Sequence, residues 1–225
     1  LICVVFYFIL CLNIMKDLAV KSKISKIIDF NSYKNNDIIF SYSFLDNKNF
    51  CVLHIYNPNR EELVVNKQNE KFYKTVADML FVQDINNKEK GCFNHQRNDD
   101  DVLYNESTTL SERLNSFLAI EYTFILIDLK INFEPVSLFC LVDNYMYDVC
   151  TSYNKRNMGY MTKMMIHFFK LVKKNKLKNG KHKNIILDVV KVNPDFQKVR
   201  DYYEKRFAFK FSKDLPEKII LEKQI

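Results

Sequence analysis

Residues 156–161, Arg-Asn-Met-Gly-Tyr-Met, have the composition of an anion cradle. They stand at the start of a segment whose apolar residues recur at helical spacing. Met161, Met164, Met165, Phe168, Leu171 and Val172 share one face, and Lys163, His167, Lys170 and Lys174 line the other. The first N–H groups of a helix have no intrahelical acceptor, and the helix dipole places roughly half a positive charge there. A phosphate or carboxylate suits that position. Gly159 lets a ligand come close to the backbone, and Arg156 adds a permanent cation with planar donors. The same residues also fit a plain glycine-containing turn into a helix.

The surrounding elements decide how such a turn is held. Residues 145–152, just before it, mix aromatic, β-branched and Cys residues and read as a strand. Residues 120–133 and 135–142 are two further strand-like runs, so three consecutive strands joined by short turns form an antiparallel meander. After the helix and a basic connector, residues 184–192 are the most β-rich run in the chain. Strand, helix and strand within about thirty residues imply a parallel crossover. Asn193-Pro194 then has the form of a helix start, with Phe196, Val199 and Tyr203 on one face. Residues 207–211 alternate as a strand, and 218–222 suit a closing edge strand. Upstream, residues 16–28 suit a modest helix with Leu18, Ala19, Ile24, Ile27 and Ile28 apolar. Residues 38–45 and 50–56 form a hairpin, and 61–83 a helix with Phe72, Val76, Met79 and Leu80 inward. Residues 84–111 are polar and aperiodic, a long loop, with a short helix capped by Ser111.

Arg156-x-x-Gly159-x-Met161 after a strand resembles the signature of the GNAT acyltransferase superfamily, Gln/Arg-x-x-Gly-x-Gly/Ala. Tyr203-Glu204-Lys205-Arg206-Phe207-Ala208-Phe209 is similar to the family's closing Tyr-x-x-x-Gly-Phe, with one residue inserted and Ala208 for Gly. Met161 stands where the family has Gly or Ala, and Phe196 stands where it usually has Asn. The resemblance covers roughly residues 118–212. It implies an α/β fold with a mixed, mostly antiparallel sheet, flanking helices and a splay after residues 145–152. It further implies an acetyl-CoA-binding core in 118–225 and an acceptor-side half in 15–117; the apolar segment 1–14 is set apart by composition alone. The turn Arg156, Asn157, Met158, Gly159, Tyr160 and Met161 would hold the diphosphate of acetyl-CoA. The main chain of Val149, Cys150 and Thr151 would pair with pantetheine.

The implied reaction is acetyl transfer to an amine acceptor, which needs a proton acceptor, a polarised carbonyl and a proton for the thiolate. Tyr203 is the implied acid, since a phenol with a pKa of about 10 can protonate a thiolate; a core aromatic is its other reading. Asp148, Glu121 and Glu134, on or beside the central strands, are the carboxylates open to the role of base. Cys150 has no evident His partner for a nucleophile's role and reads as a small buried residue.

Composition sets limits on these readings. The 225 residues carry 48% hydrophobic and 14% aromatic residues, enough for a packed core. The six cysteines are scattered without a C-x-x-C, which fits free thiols in a reducing, cytoplasmic setting. Cys92-x-x-His95 is half a zinc site without a second pair, so no metal is expected. Residues 1–134 carry 15 Lys+Arg against 18 Asp+Glu, whereas 135–225 carry 19 against 9. The positive field therefore lies on the half with the cradle, as a polyanionic cofactor requires. The basic run 170–183 lacks interleaved aromatics, so nucleic acid is not the expected partner. Residues 1–14 are apolar and uncharged but span only about 21 Å as a helix, short of a bilayer core. They read as a truncated signal or anchor, a buried element, or residues ahead of a start at Met15. A membrane enters only if they are an anchor. The rival from another class is a catalytically silent GNAT-like binding module.

Overall fold

The computed structural model describes residues 18–22, 24–25, 38–46, 49–62, 65–67, 69–81, 120–130, 133–177, 182–191 and 195–225. The expectations for 1–14, 84–117, Cys92/His95 and Asn193-Pro194 fall outside them. The strands are β1 (Ile39–Leu45), β2 (Phe50–Tyr56), β3 (Tyr122–Asp128), β4 (Glu134–Val142), β5 (Tyr145–Thr151), β6 (Asn184–Val190), β7 (Lys210–Asp214) and β8 (Lys218–Gln224). The helices are α1 (Glu70–Phe81), α2 (Tyr160–Lys173) and α3 (Phe196–Asp201), the last running into a π-helical turn, Tyr202–Arg206.

One sheet takes all eight strands in the order β1-β2-β3-β4-β5-β6-β8-β7. Neighbours are antiparallel except β5 and β6, which are parallel. Every residue of β3 is buried, because helices cover both of its faces. Alternation sends Cys51, Leu53, Ile125 and Ile127 to the α1 side, against Phe72, Tyr73 and Val76. It sends Val52, Phe124, Leu126, Leu187 and Val189 to the other side, against α2 and the residues after it.

Four expectations shift. The helix expected from residue 61 begins at Glu70 because asparagines hold the preceding chain in turns. Asn57 bonds the main chain of Glu61 in both directions (2.7 and 2.9 Å), and Asn66 and Asn69 exchange side-chain and main-chain bonds (2.8 and 3.2 Å). Residues 218–222 are no edge: β8 lies between β6 and β7, and β7 is the edge, exposed throughout. Leu18 is exposed while Val20 and Ile24 are buried, so that helix faces inward on a different stripe. The strand expected at 207–211 starts only at Lys210, because the helix ahead of it runs on.

That last shift has a local cause. The residue inserted between Tyr203 and Ala208 widens one helical turn into π geometry, the form a single insertion takes in a helix. Ala208 follows in the left-handed region (φ 56°) and closes the helix, its N–H bonding Glu204 O at 3.1 Å. The resemblance puts Gly here, and the backbone gives the reason. An L-residue in this conformation costs about 1–2 kcal/mol, while glycine costs about 0.5–1 kcal/mol of extra chain entropy. Ala208→Gly should therefore raise stability by roughly 0.5–1 kcal/mol, read as a higher urea midpoint at unchanged slope.

Above β2, α2 lays His167 beside His54, ring centroids 5.6 Å apart, and neither Nε2 has a hydrogen-bond partner. Burial, then the charge of His167, lowers the His54 pKa to about 3; burial, then Lys170, lowers that of His167. Both are below the ordinary value near 6.5, so the unfolded chain binds their protons first. Stability should be constant above pH about 6.5 and fall as pH drops from there toward 3. For His54 the slope is up to about 1.4 kcal/mol per pH unit, and His54→Phe should flatten that share in urea unfolding run across pH.

Candidate active site

β5 and β6 pair only through Tyr145↔Ile186 and Met146↔Leu187. Beyond those pairs they diverge, leaving an opening between residues 147–151 and 188–190. The cause is on the β5 side. Asp148 has a positive φ (54°), and the β4–β5 register shifts between Leu138 and Cys140, which marks a bulge that bends the strand away. Past the bulge, Ser152 N–H bonds Val136 O (3.0 Å), so alternation turns the main chain of Thr151 away from β4, toward the opening. The pairing Leu138↔Cys150 uses the main chain of Cys150 in the β4 ladder.

The turn closes the wide end of this opening. A 3₁₀ helix, Tyr153–Lys155, leads into Asn157 (φ 64°) and Gly159 (φ 76°), and Gly159 is the N-cap of α2. The first ladder bond runs from Lys163 N–H to Gly159 O (3.0 Å), so the N–H groups of Tyr160, Met161 and Thr162 lie ahead of the ladder, with no side-chain cap. A Cβ on Gly159 would meet no atom within 4 Å. Glycine is thus required by its φ, and the space beside it is open to a ligand. Arg156 stands at the lip, its guanidinium 5.1 Å from the Tyr153 ring centre and its Nε 3.5 Å from Thr151 O. Met161 packs against the α2-side core, so its side chain does not stand over the turn.

The sheet order, the single parallel seam, the splay beyond it and the glycine turn at its mouth are the arrangement the resemblance implies. The chain has a GNAT-like fold. The strands and helix β1, β2 and α1 supply the elements that the sequence of the first 110 residues gave no motif for. Among solved structures, the chain is similar to an aminoglycoside 6′-N-acetyltransferase complexed with coenzyme A, at 14% identity over 73% of this chain and 95% of that one, TM-score 0.44. A Desulfovibrio desulfuricans protein assigned to the GNAT family of acetyltransferases is similar at 10% identity, over 77% and 98% of the two chains, TM-score 0.41. A Pyrococcus horikoshii protein is similar at 16% identity over 46% of this chain, TM-score 0.37, and the match spans 64% of that protein's length. No protein-family profile matches the chain, and no curated protein does.

On this GNAT frame the sequence candidates separate. Tyr203 lies in the π-helical turn, 5% exposed, its ring against Tyr202 (5.2 Å) and Phe209 (5.8 Å). Burial, then Tyr202, raises its pKa, so it holds its proton throughout the physiological range. Phe196, at the usual Asn position, packs into the same core. Thr162 Oγ1 and Tyr202 Oη are 2.9 Å apart, tying the first turn of α2 to the π-helical turn.

The carboxylates fare differently from one another. Glu121 is buried and accepts the N–H of Asp143 (2.8 Å), holding the β4–β5 turn. Glu134 pairs with Lys155 (3.7 Å). Asp148 occupies the bulge itself. Asp188, which the sequence reading passed over, sits on β6 where the splay begins. Its Oδ2 accepts Lys218 Nζ (2.7 Å), and its Oδ1 is buried with no partner. Leu187 and Val189 face α2, so Asp188 faces the other side, as does the exposed Tyr147. One signal was legible: a carboxylate in the middle of the most β-rich run needs a reason.

Two further expectations change. Cys51 and Cys140 are free thiols, but Cys150 is disulfide-bonded, so it is not the free cysteine expected; its side chain belongs to the α1-side core. The described lysines of the 170–183 run lie at the C-terminal end of α2. Its fourteen residues place Lys173 and those after it about 20 Å from Gly159, whereas Lys170 reaches back to the cavity beside that glycine. Lys163, Lys170 and Arg206 line this open cavity of about 560 Å³ beside Gly159. Among the described residues, no three His, Cys, Asp or Glu side chains are grouped to hold a metal, and no helix is long and apolar enough to cross a membrane.

Proposed function

We propose that the protein is an N-acetyltransferase that takes its acetyl group from acetyl-CoA and delivers it to an amine acceptor. The observation that carries this reading is the two-pair seam between β5 and β6, which opens onto the uncapped N-terminus of α2. Bound there, acetyl-CoA would supply an activated thioester. The N–H groups from Asn157 to Met161, with Arg156, would hold the diphosphate, because a helix N-terminus next to a guanidinium favours anions. The main chain of Val149, Cys150 and Thr151 would line the pantetheine arm, Thr151 with groups directed at the opening. Tyr203, kept protonated by burial, would be the proton donor on the α2 side of the sheet. Asp188 would receive a proton from the acceptor on the opposite face, with Lys218 holding its second oxygen. In this reading, proton donor and proton acceptor would approach the opening from opposite faces of the sheet.

A second reading is a module that binds the cofactor without turning it over, favoured by the near-complete burial of Tyr203. Titration calorimetry with coenzyme A, followed by assay of thiol release from acetyl-CoA with mixed amines, separates the two. Binding with thiol release supports the enzyme, and binding alone supports the module. No binding at millimolar coenzyme A by the folded chain removes both.

A further inference from the structure

At the end of the sheet away from the glycine turn, β6 begins and β8 finishes, paired through Asn184↔Gln224. An open cavity of about 560 Å³ lies there, under the C-terminus of α2. His182 lines it, is only 4% exposed, and has no hydrogen-bond partner at either ring nitrogen. Asn184 lines it as well. Its Nδ2 is turned to Glu222 Oε2 (3.3 Å), which leaves Oδ1 buried and unpartnered. Two residues lining one cavity thus carry three buried, unpartnered polar atoms, each costly to leave unsatisfied. Native proteins keep such groups where a water, an ion or a ligand satisfies them.

The surroundings select among those. Lys173 and Lys183 line the cavity, and no carboxylate side chain does. Lys223, next to Gln224, is held over the Phe169 ring (5.4 Å), and burial and then the charge of Lys173 lower its pKa. Cations outnumber carboxylates here: Lys173, Lys183 and Lys223 stand around the cavity, and the nearest side-chain carboxylate, Glu222, is engaged by Asn184 Nδ2 and Ser212 Oγ. The C-terminal carbonyls of α2 do not oppose an anion strongly, because the chain reversal at Asn175 (φ 49°) satisfies them. Asn175 N–H bonds Val172 O (2.9 Å), and Lys176 N–H bonds Leu171 O (3.0 Å). An imidazole always carries at least one N–H and can donate to an anion. Asn184 Oδ1 can only accept. A bare anion would satisfy the lysines and the imidazole N–H but leave that oxygen unpaired. An oxyanion that keeps an O–H satisfies both.

We propose that this cavity is an anion site, separate from the glycine turn, for a phosphate group in its protonated form: inorganic phosphate or the end of a phosphomonoester. His182 donates to it, Asn184 Oδ1 accepts its O–H, and Lys173 and Lys183 hold its charge.

The full ¹⁵N-labelled chain, titrated at constant ionic strength with phosphate, sulfate and methyl phosphate, tests this through the His182 imidazole resonances and calorimetry. Sulfate has the same shape and charge but no O–H near neutral pH. Phosphate should shift the His182 resonances in the millimolar range, with sulfate at least about tenfold weaker. Methyl phosphate binding at a pH below its second pKa of about 6, where its monoanion keeps an O–H, identifies a phosphomonoester end as the ligand; phosphate binding alone identifies the free ion. His182→Phe, and Lys183→Ala on the surface in case the first variant does not fold, should each weaken phosphate binding about tenfold. Arg156→Ala should leave it unchanged. Equal response to sulfate and phosphate, or no response at millimolar phosphate, overturns the proposal, the cavity then holding water alone.

Discussion

Arg156→Ala should weaken coenzyme A binding roughly tenfold to a hundredfold while the chain stays as stable as the parent. The affinity loss follows from a charge-assisted hydrogen bond to phosphate, which contributes about 1.5–3 kcal/mol. The unchanged stability follows from its position: Arg156 is exposed and its bond to Thr151 O is long, so its contacts are screened by solvent. Gly159→Val should weaken binding at least as much, for a different reason. No protein atom lies within 4 Å of a Cβ there, so the added side chain would fill space that only a ligand uses. It would also strain a φ of 76° by about 1–2 kcal/mol, a cost read in urea unfolding. Calorimetry with coenzyme A on both variants is the measurement. Wild-type affinity in both would place the diphosphate elsewhere, and unfolding of Gly159→Val would leave conformation as the only role of the glycine.

Phe168→Ala should cost about 3–5 kcal/mol in urea unfolding, among the largest effects of any single truncation in the domain. Phe168 is fully buried, its ring edge-on to Phe124 (5.4 Å) on β3 and Phe139 (5.1 Å) on β4. It is the contact that seats α2 on the centre of the sheet, and with α2 it fixes where the helix N-terminus points. In the fraction that remains folded, coenzyme A affinity should also fall, since a loosened helix no longer holds its first N–H groups in place. A loss below about 1 kcal/mol would mean that α2 is held mainly by its other contacts.

Periodicity made the strands and α2 legible, because hydrophobic alternation at periods of 2 and 3.6 is written residue by residue. The meander and the crossover followed from strand order and loop length alone. Legibility failed where side chains compete with backbone or where geometry is not periodic. The asparagines at 57, 66 and 69 delay α1, and no apolar pattern records that. The π-helical turn delays the start of β7 by three residues, although the inserted residue was visible in the spacing from Tyr203. At the site, the turn was legible because it depends on a glycine and a charge at a fixed place. Asp188 was not, because its meaning depends on where two strands part company, which no local pattern encodes. Met161, standing where the family has Gly or Ala, shows the same limit: which way a first-turn side chain leans is set by the core it meets.

The two-pair seam has a mechanical side. Joined to β5 only at Tyr145 and Met146, the block of β6, β7 and β8 hangs on the rest of the sheet by a short stitch, with α2 as the strap across it. Force or thermal opening applied to this domain will concentrate at that stitch, since every other strand junction has at least four paired positions. The domain is built as two plates that share a hinge line, and whatever lies in the gap between them becomes a rivet.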